Sequence, residues 1–244
     1  MDAIRIDRAF VSVTGPDAES YLQGQLSQDV TSSRQGLAFL LEPTGKLGVL
    51  LRWGRVRDDQ FLLDTDAEAA DALLARLRRF LLRTKAEVEP AAIRCVRVFG
   101  AVEGVPAVWP SAPDAPVDLF DTEPPPEATD LDRLGYERRR ILAGVPVCGV
   151  DIGGETIPAE VGAWAIESAV SFTKGCYTGQ ELVARIDSRG GNVPRPLRVL
   201  QSADGGSMPQ VADVLDDDGT AVGRITSAAA DVALGPIARR VEPG

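Results

Sequence analysis

Apolar and polar positions along the chain alternate between two periods. Residues 9–13 form a strand-like apolar run, closed by Gly15-Pro16-Asp17. That tripeptide is a turn and a helix start, because proline in a first helical turn loses no needed donor. The helix predicted over residues 17–26 carries Tyr21 and Leu22 on one face, and Gly24 weakens it. Two apolar runs, 37–41 and 47–53, flank Pro43-Thr44-Gly45-Lys46, the pattern of a hairpin. Residues 60–64 make a further short strand. Asp66 is expected to cap a helix reaching about residue 83, in which Leu73, Leu74, Leu77, Phe80 and Leu81 recur at helical spacing. Residues 93–99 alternate around Cys95 as a half-buried strand does.

The pattern breaks at residues 104–128, where seven of 25 positions are proline and none is basic. Such a stretch reads as a loop or linker without long regular elements. Helical spacing resumes over 130–143 and stops at Gly144-Val145-Pro146. Residues 195–201, 222–227 and 232–241 read as strands of a small terminal unit, with Asp216-Asp217-Asp218-Gly219 as a hairpin turn. No internal repeat is visible.

Composition narrows the function classes. The chain has 244 residues, long enough to bury a core without disulfides or metals. With 26 Lys+Arg against 36 Asp+Glu, the net charge is −10, which argues against a nucleic-acid partner. No apolar run reaches the roughly 18 residues of a membrane span. The start of the chain lacks the apolar core of a signal peptide, and three scattered cysteines suit a reducing compartment, so a cytoplasmic location is expected. The chain contains no histidine. Ser-His-Asp and Cys-His catalysis and imidazole metal sites are thereby excluded. No metal site is expected. Three cysteines cannot supply a four-thiolate cluster, so an iron–sulfur cluster could only be bound transiently or shared with a partner.

Chemistry concentrates in Phe172-Thr-Lys-Gly-Cys-Tyr-Thr-Gly-Gln-Glu-Leu182. Thr178 and Glu181, three apart before an apolar-spaced run, read as a capping box for a helix from about Gly179 to Asp187. Cys176 then sits two residues outside a helix N-terminus, whose dipole favours an anion, and Lys174 adds a positive charge. This makes Cys176 the expected reactive thiol. A buried cysteine behind a structural cap is the competing reading. Cys95 reads as core, and Cys148 lies in a turn. Arg138-Arg139-Arg140 lies on a helix, either as a solvated face or turned to an anion.

The octapeptide Lys174–Glu181 resembles the signature of the YgfZ family, folate-binding proteins implicated in iron–sulfur cluster assembly and similar to the glycine-cleavage T-protein, an aminomethyltransferase that uses tetrahydrofolate. Further likenesses are Gly15-Pro-Asp-Ala with Tyr21–Asp29, Phe80–Val88, Arg140–Pro146 and Gly223-Arg-Ile-Thr-Ser227. The resemblance implies an α+β, T-protein-like arrangement of three domains around a central folate-sized hole, with a small C-terminal barrel-like domain. The domains would be 1–45 with 130–192, then 46–129, then 193–244. It implies tetrahydrofolate or a derivative as ligand. Cys176 and Lys174 would be the reactive pair. Arg140, Tyr177, Gln180, Glu181 and Arg185 would line the binding side, with Arg140 facing the glutamyl tail.

The T-protein's aspartate after the first hairpin turn has no counterpart in Gly45–Leu51, which holds no carboxylate, and no Tyr-Thr-Gly-Glu segment precedes residue 130. An accessory protein for iron–sulfur assembly or repair, with folate and client proteins as partners, is therefore expected ahead of an aminomethyltransferase-like enzyme or a folate-independent scaffold. The resemblance also implies a strand beyond Val241-Glu242-Pro243-Gly244, so a barrel that is shortened or closed differently, with scope for an exposed edge, is expected.

Overall fold

The structure is a computed structural model that describes residues 1–100, 102–110 and 115–241. In chain order the elements are β1 (Asp2–Ile6), β2 (Arg8–Thr14), α1 (Ala18–Gln25), β3 (Gln35–Leu41), β4 (Leu47–Arg57), β5 (Gln60–Asp66), α2 (Ala70–Arg79), β6 (Glu87–Ala91), β7 (Cys95–Phe99), β8 (Val105–Pro106), β9 (Val117–Phe120) and β10 (Thr129–Asp130). Then follow α3 (Arg133–Leu142), α4 (Ala163–Ala169), α5 (Gln180–Asp187), β11 (Leu197–Gln201), β12 (Ala212–Leu215), β13 (Ala221–Ile225), β14 (Ser227–Ala229) and β15 (Val232–Pro236).

A five-stranded sheet in the order β3-β4-β5-β2-β6 forms the centre, all its pairs antiparallel. The pleat sends alternate residues to opposite faces. Leu51, Trp53, Phe61 and Leu63 join Tyr21 and Leu22 of α1 and Leu73 and Leu77 of α2 in the main core. A second five-stranded sheet, β10-β1-β7-β9-β8, is built from the first strand and the segment after β6. The C-terminal unit is a three-stranded sheet β11-β15-β14 and a two-stranded sheet β12-β13, joined by a bridge from Gly223 to Ile237. Among the described residues the two sheets do not close into a barrel. Residues 242–244, part of the segment at which the barrel was expected to be shortened or closed differently, lie outside the described residues.

Several expectations change. The boundary expected between residues 45 and 46 falls at the tip of the β3–β4 hairpin, so one hydrogen-bonded sheet carries both sides of it. The helix expected from Asp66 begins at Ala70, after a 3-10 turn over Ala67–Ala69, and ends at Arg79. Asp66 does not cap it: its carboxylate accepts from the Arg8 guanidinium and from the Cys148 N–H, each at 2.8 Å. The proline-rich stretch contains β8 and β9, the latter placing Asp118 at 1% exposure. Its residues 111–114 lie outside the described residues. For α3 the expectation holds closely, and Asp132 caps it by accepting from the Gly135 N–H at 2.7 Å.

Candidate functional site

Two places carry chemistry: the signature loop before α5 and a cavity between the two large sheets. The loop is bound down by its own residues. Lys174 donates to the carbonyls of Gln23, Leu26 and Gln28 at 2.7, 2.7 and 2.9 Å, clamping the end of α1, where unpaired carbonyls accumulate. Its ammonium also lies 5.2 Å from the centre of the Tyr177 ring. Burial pushes Lys174 down to about 8, with Asp29 opposing. Tyr177 is buried in the main core, and burial pushes its phenol up to about 12. The Thr178 N–H donates to Gly24 O at 3.1 Å.

The expected capping box does not form. The residue before α5 is Gly179, at φ +83°, and no side chain caps the helix there. A Cβ at Gly179 would lie 2.6 Å from Glu42 O and 2.8 Å from Leu41 Cβ, so only glycine lets the loop press on the β3–β4 hairpin. Gln180 takes the reaching-back role one position early, its Oε1 accepting from the Tyr177 N–H at 3.1 Å. Glu181 and Arg185 are exposed and form no ion pair with each other.

Cys176 is exposed, three positions before Gly179. It lies farther from the helix start than the sequence implied, and dipole effects fade within the first turn. The Lys174 charge is held by carbonyls. The lysine charge assigned to the thiol is thus engaged elsewhere. Cys95 and Cys148 are buried, and burial pushes their thiols up to about 12 and about 11.

Arg140 is not gathered with the loop. It is 3% exposed, its Nε donating to Glu137 at 2.7 Å and its Nη1 to Asp151 at 3.0 Å and Val145 O at 2.9 Å. Asp151 in turn accepts from the Thr226 and Ser227 hydroxyls, at 2.6 and 2.7 Å. The arginine expected to face a glutamyl tail therefore fastens α3 to the C-terminal unit. Arg138 and Arg139 are likewise paired, with Asp231 and Asp2.

The cavity holds about 430 Å³. Leu37, Arg52, Gly54, Leu62 and Asp64 share one face of the central sheet by register and form its floor. Val105–Ala107, Trp109 and Phe120 supply the facing wall. Gly54 meets no atom within 4 Å along its Cβ direction, so the missing side chain is what keeps this part of the space open. At its base lies a buried charge network. Arg52 bonds Asp64 at 2.7 Å and Asp118 at 2.8 Å, and Arg97 grips Asp118 with two contacts of 2.8 Å. Arg8 bridges Asp64 and Asp66, and Tyr136 accepts from Arg97 at 2.9 Å. Burial pushes Asp118 up, but Arg97 and Arg52 outweigh it and hold the carboxyl down at about 2. Sequence reasoning missed this network. Its signal is a lone charge inside each apolar strand: Leu51-Arg52-Trp53, Val96-Arg97-Val98, Leu63-Asp64 and Val117-Asp118-Leu119.

No family model matches the chain. Among curated proteins, it is 33% identical over 191 residues to an uncharacterised protein of Haemophilus influenzae, covering 75% of this chain and 67% of that one. It is 31% identical over 221 residues to the tRNA-modifying protein YgfZ of Klebsiella pneumoniae, covering 76% of this chain and 67% of that one. The YgfZ of Edwardsiella ictaluri is 30% identical over 218 residues, covering 75% of this chain and 65% of the relative. The crystal structure of the glycine cleavage system aminomethyltransferase T from Bartonella henselae superposes with a TM-score of 0.75 at 16% identity, over 97% of this chain and 78% of that one, which shows a T-protein-like fold. With the signature loop in place and relatives at this identity and coverage, the chain belongs to the YgfZ family.

Proposed function

We propose that the protein binds a tetrahydrofolate derivative in the cavity between its two large sheets and acts as an accessory factor in iron–sulfur cluster assembly or repair, with Cys176 as its reactive group. The cavity carries this reading. Its 430 Å³ lies in the range of small-ligand pockets, and it pairs two aromatic walls with a fixed polar base. A flat heterocycle suits the space between Trp109, Phe120 and the gap left by Gly54, while Asp64 and Arg52 offer an acceptor and donors at the floor. When bound, tetrahydrofolate supplies a carrier for one-carbon units. The chain's own residues bind and orient it, and the ion network fixes the Asp64 and Arg52 side chains in place.

The name of these relatives, tRNA-modifying protein, adds tRNA modification as the process served. Client enzymes and the chemical step at Cys176 belong to this proposal as well. An aminomethyltransferase-like reaction is the second reading, and the T-protein-like fold favours it.

The test is calorimetric titration of tetrahydrofolate into the wild type, Gly54→Phe and Cys176→Ala. Gly54→Phe is expected to fold normally, since its side chain enters open space, and to lose at least roughly tenfold in affinity. Equal affinity in Gly54→Phe would remove the cavity as the site. Cys176→Ala is expected to bind like the wild type yet fail to restore cluster-dependent enzymes in a deletion strain.

A further inference from the structure

A further concave site lies in the C-terminal unit, apart from the cavity and from the signature loop. It is a cleft of about 340 Å³ between β13 and the segment that follows β15. Three arginines from three remote parts of the chain line it: Arg195 before β11, Arg224 on β13 and Arg240 after β15. The backbone fixes their spacing. The Arg195 N–H donates to the Glu160 carboxylate at 3.2 Å, the Ala238 N–H to Val222 O at 2.7 Å, and the Arg239 N–H to Pro194 O at 2.9 Å. Gly223 lets the last segment pass close, since a Cβ there would lie 2.6 Å from Pro236 O.

The convergence is notable for a chain of net charge −10 whose buried arginines are paired. Among the described residues, neither Arg195 nor Arg224 has a carboxylate in ion-pair range, and Arg240, itself exposed, has only Asp216, at 3.7 Å. Asp213 also lines the cleft and stands opposite Arg224 across the strand pair, without an ion pair between them. Three like charges around one cleft repel one another, with only Asp213 and Asp216 of opposite sign beside them. An anion with several acceptor oxygens relieves that repulsion and matches the forked donors of arginine.

We infer that this cleft binds a phosphate group through Arg195, Arg224 and Arg240. The negative charge of the whole molecule opposes a long polyanion and favours a single compact phosphate moiety. A phosphorylated small molecule and one phosphodiester of an RNA offer that same chemistry. The site is independent of tetrahydrofolate, so its failure leaves the cavity reading untouched.

The experiment titrates the full chain at low salt with inorganic pyrophosphate and with a short single-stranded RNA. The proteins are the wild type, the Arg195→Gln/Arg224→Gln double variant and, as a control, Arg133→Gln, an exposed arginine outside the cleft. Both cleft residues are exposed and unpaired, so the double variant is expected to keep the wild-type melting temperature. Pyrophosphate is expected to bind the wild type and the control, and to bind the double variant at least roughly tenfold more weakly. RNA that binds and is displaced by pyrophosphate identifies the source as a nucleic-acid phosphate. RNA that does not bind identifies a small phosphorylated ligand. Equal pyrophosphate binding by the wild type and the double variant, or none by the wild type, overturns the inference.

Discussion

Lys174 shows how a charge expected beside a thiol can be engaged by the backbone. The sequence placed its charge beside a thiol. The structure places it in a cage of three carbonyls that closes the end of α1. Each of those acceptors is strengthened by the ionised donor, and none has a ready substitute if the donor goes. Lys174→Met keeps the length of the stem and removes only the ammonium. The variant is expected to lose about 1–3 kcal/mol of stability, read as a lower urea midpoint, with faster proteolysis within residues 171–179. A midpoint and cleavage pattern equal to the wild type would show that the three bonds do not hold the loop. The neighbouring Gly179 is a different lesson. Its need for a left-handed backbone was invisible behind the Thr178–Glu181 pattern, because that pattern ignores what the loop must press against.

At the level of elements, β2, β4, β5, β7 and β9 are joined by charge as well as by hydrogen bonds. Arg8, Arg52 and Arg97 alternate with Asp64, Asp66 and Asp118 across the gap between the sheets. Removing one member strands another without solvent. Arg97→Met is expected to cost about 3–5 kcal/mol, since it leaves Asp118 buried with Arg52 alone close by.

The network also sets an acid limit. Asp118 has a folded pKa lowered to about 2 from 3.8, so its contribution is fully present above about pH 4 and is lost as pH falls through about 2. The wild-type urea midpoint should drop across that window, and Arg97→Met should drop less there. Parallel acid profiles would place the sensitivity in other carboxylates. These elements also show what the sequence displayed. Period-2 and period-3.6 patterns located β3, β4, α2 and α3, because burial of one face is a local demand. They did not reveal that β9 crosses into a sheet with β7, since Asp118 earns its burial only from arginines 21 and 66 positions away.

For the molecule as a whole, the two chemical places are separated by the length of a strand. The cavity is lined at the Gln35–Leu37 end of β3, whereas Gly179 packs at Leu41 and Gly45 on the hairpin end. Four to five residues of extended chain correspond to roughly 15 Å. Cys176 is not among the residues lining the cavity. The signature motif was therefore legible as a family mark, while the cavity was not, because it is assembled from strands that carry no motif. Coupling between ligand and thiol would need a shared moving element. The loop is instead fixed by Lys174, Tyr177 and Thr178. Iodoacetamide at neutral pH is expected to label Cys176 alone, as Cys95 and Cys148 are buried with raised thiol pKa. Saturating tetrahydrofolate is expected to leave that labelling rate within about twofold, as two sites with no differential contact do not shift one another. Mass spectrometry of tryptic peptides gives both answers. A labelling rate that falls several-fold on adding folate would mean that the thiol and the cavity communicate, and that the loop opens toward the ligand in a way its clamps do not show.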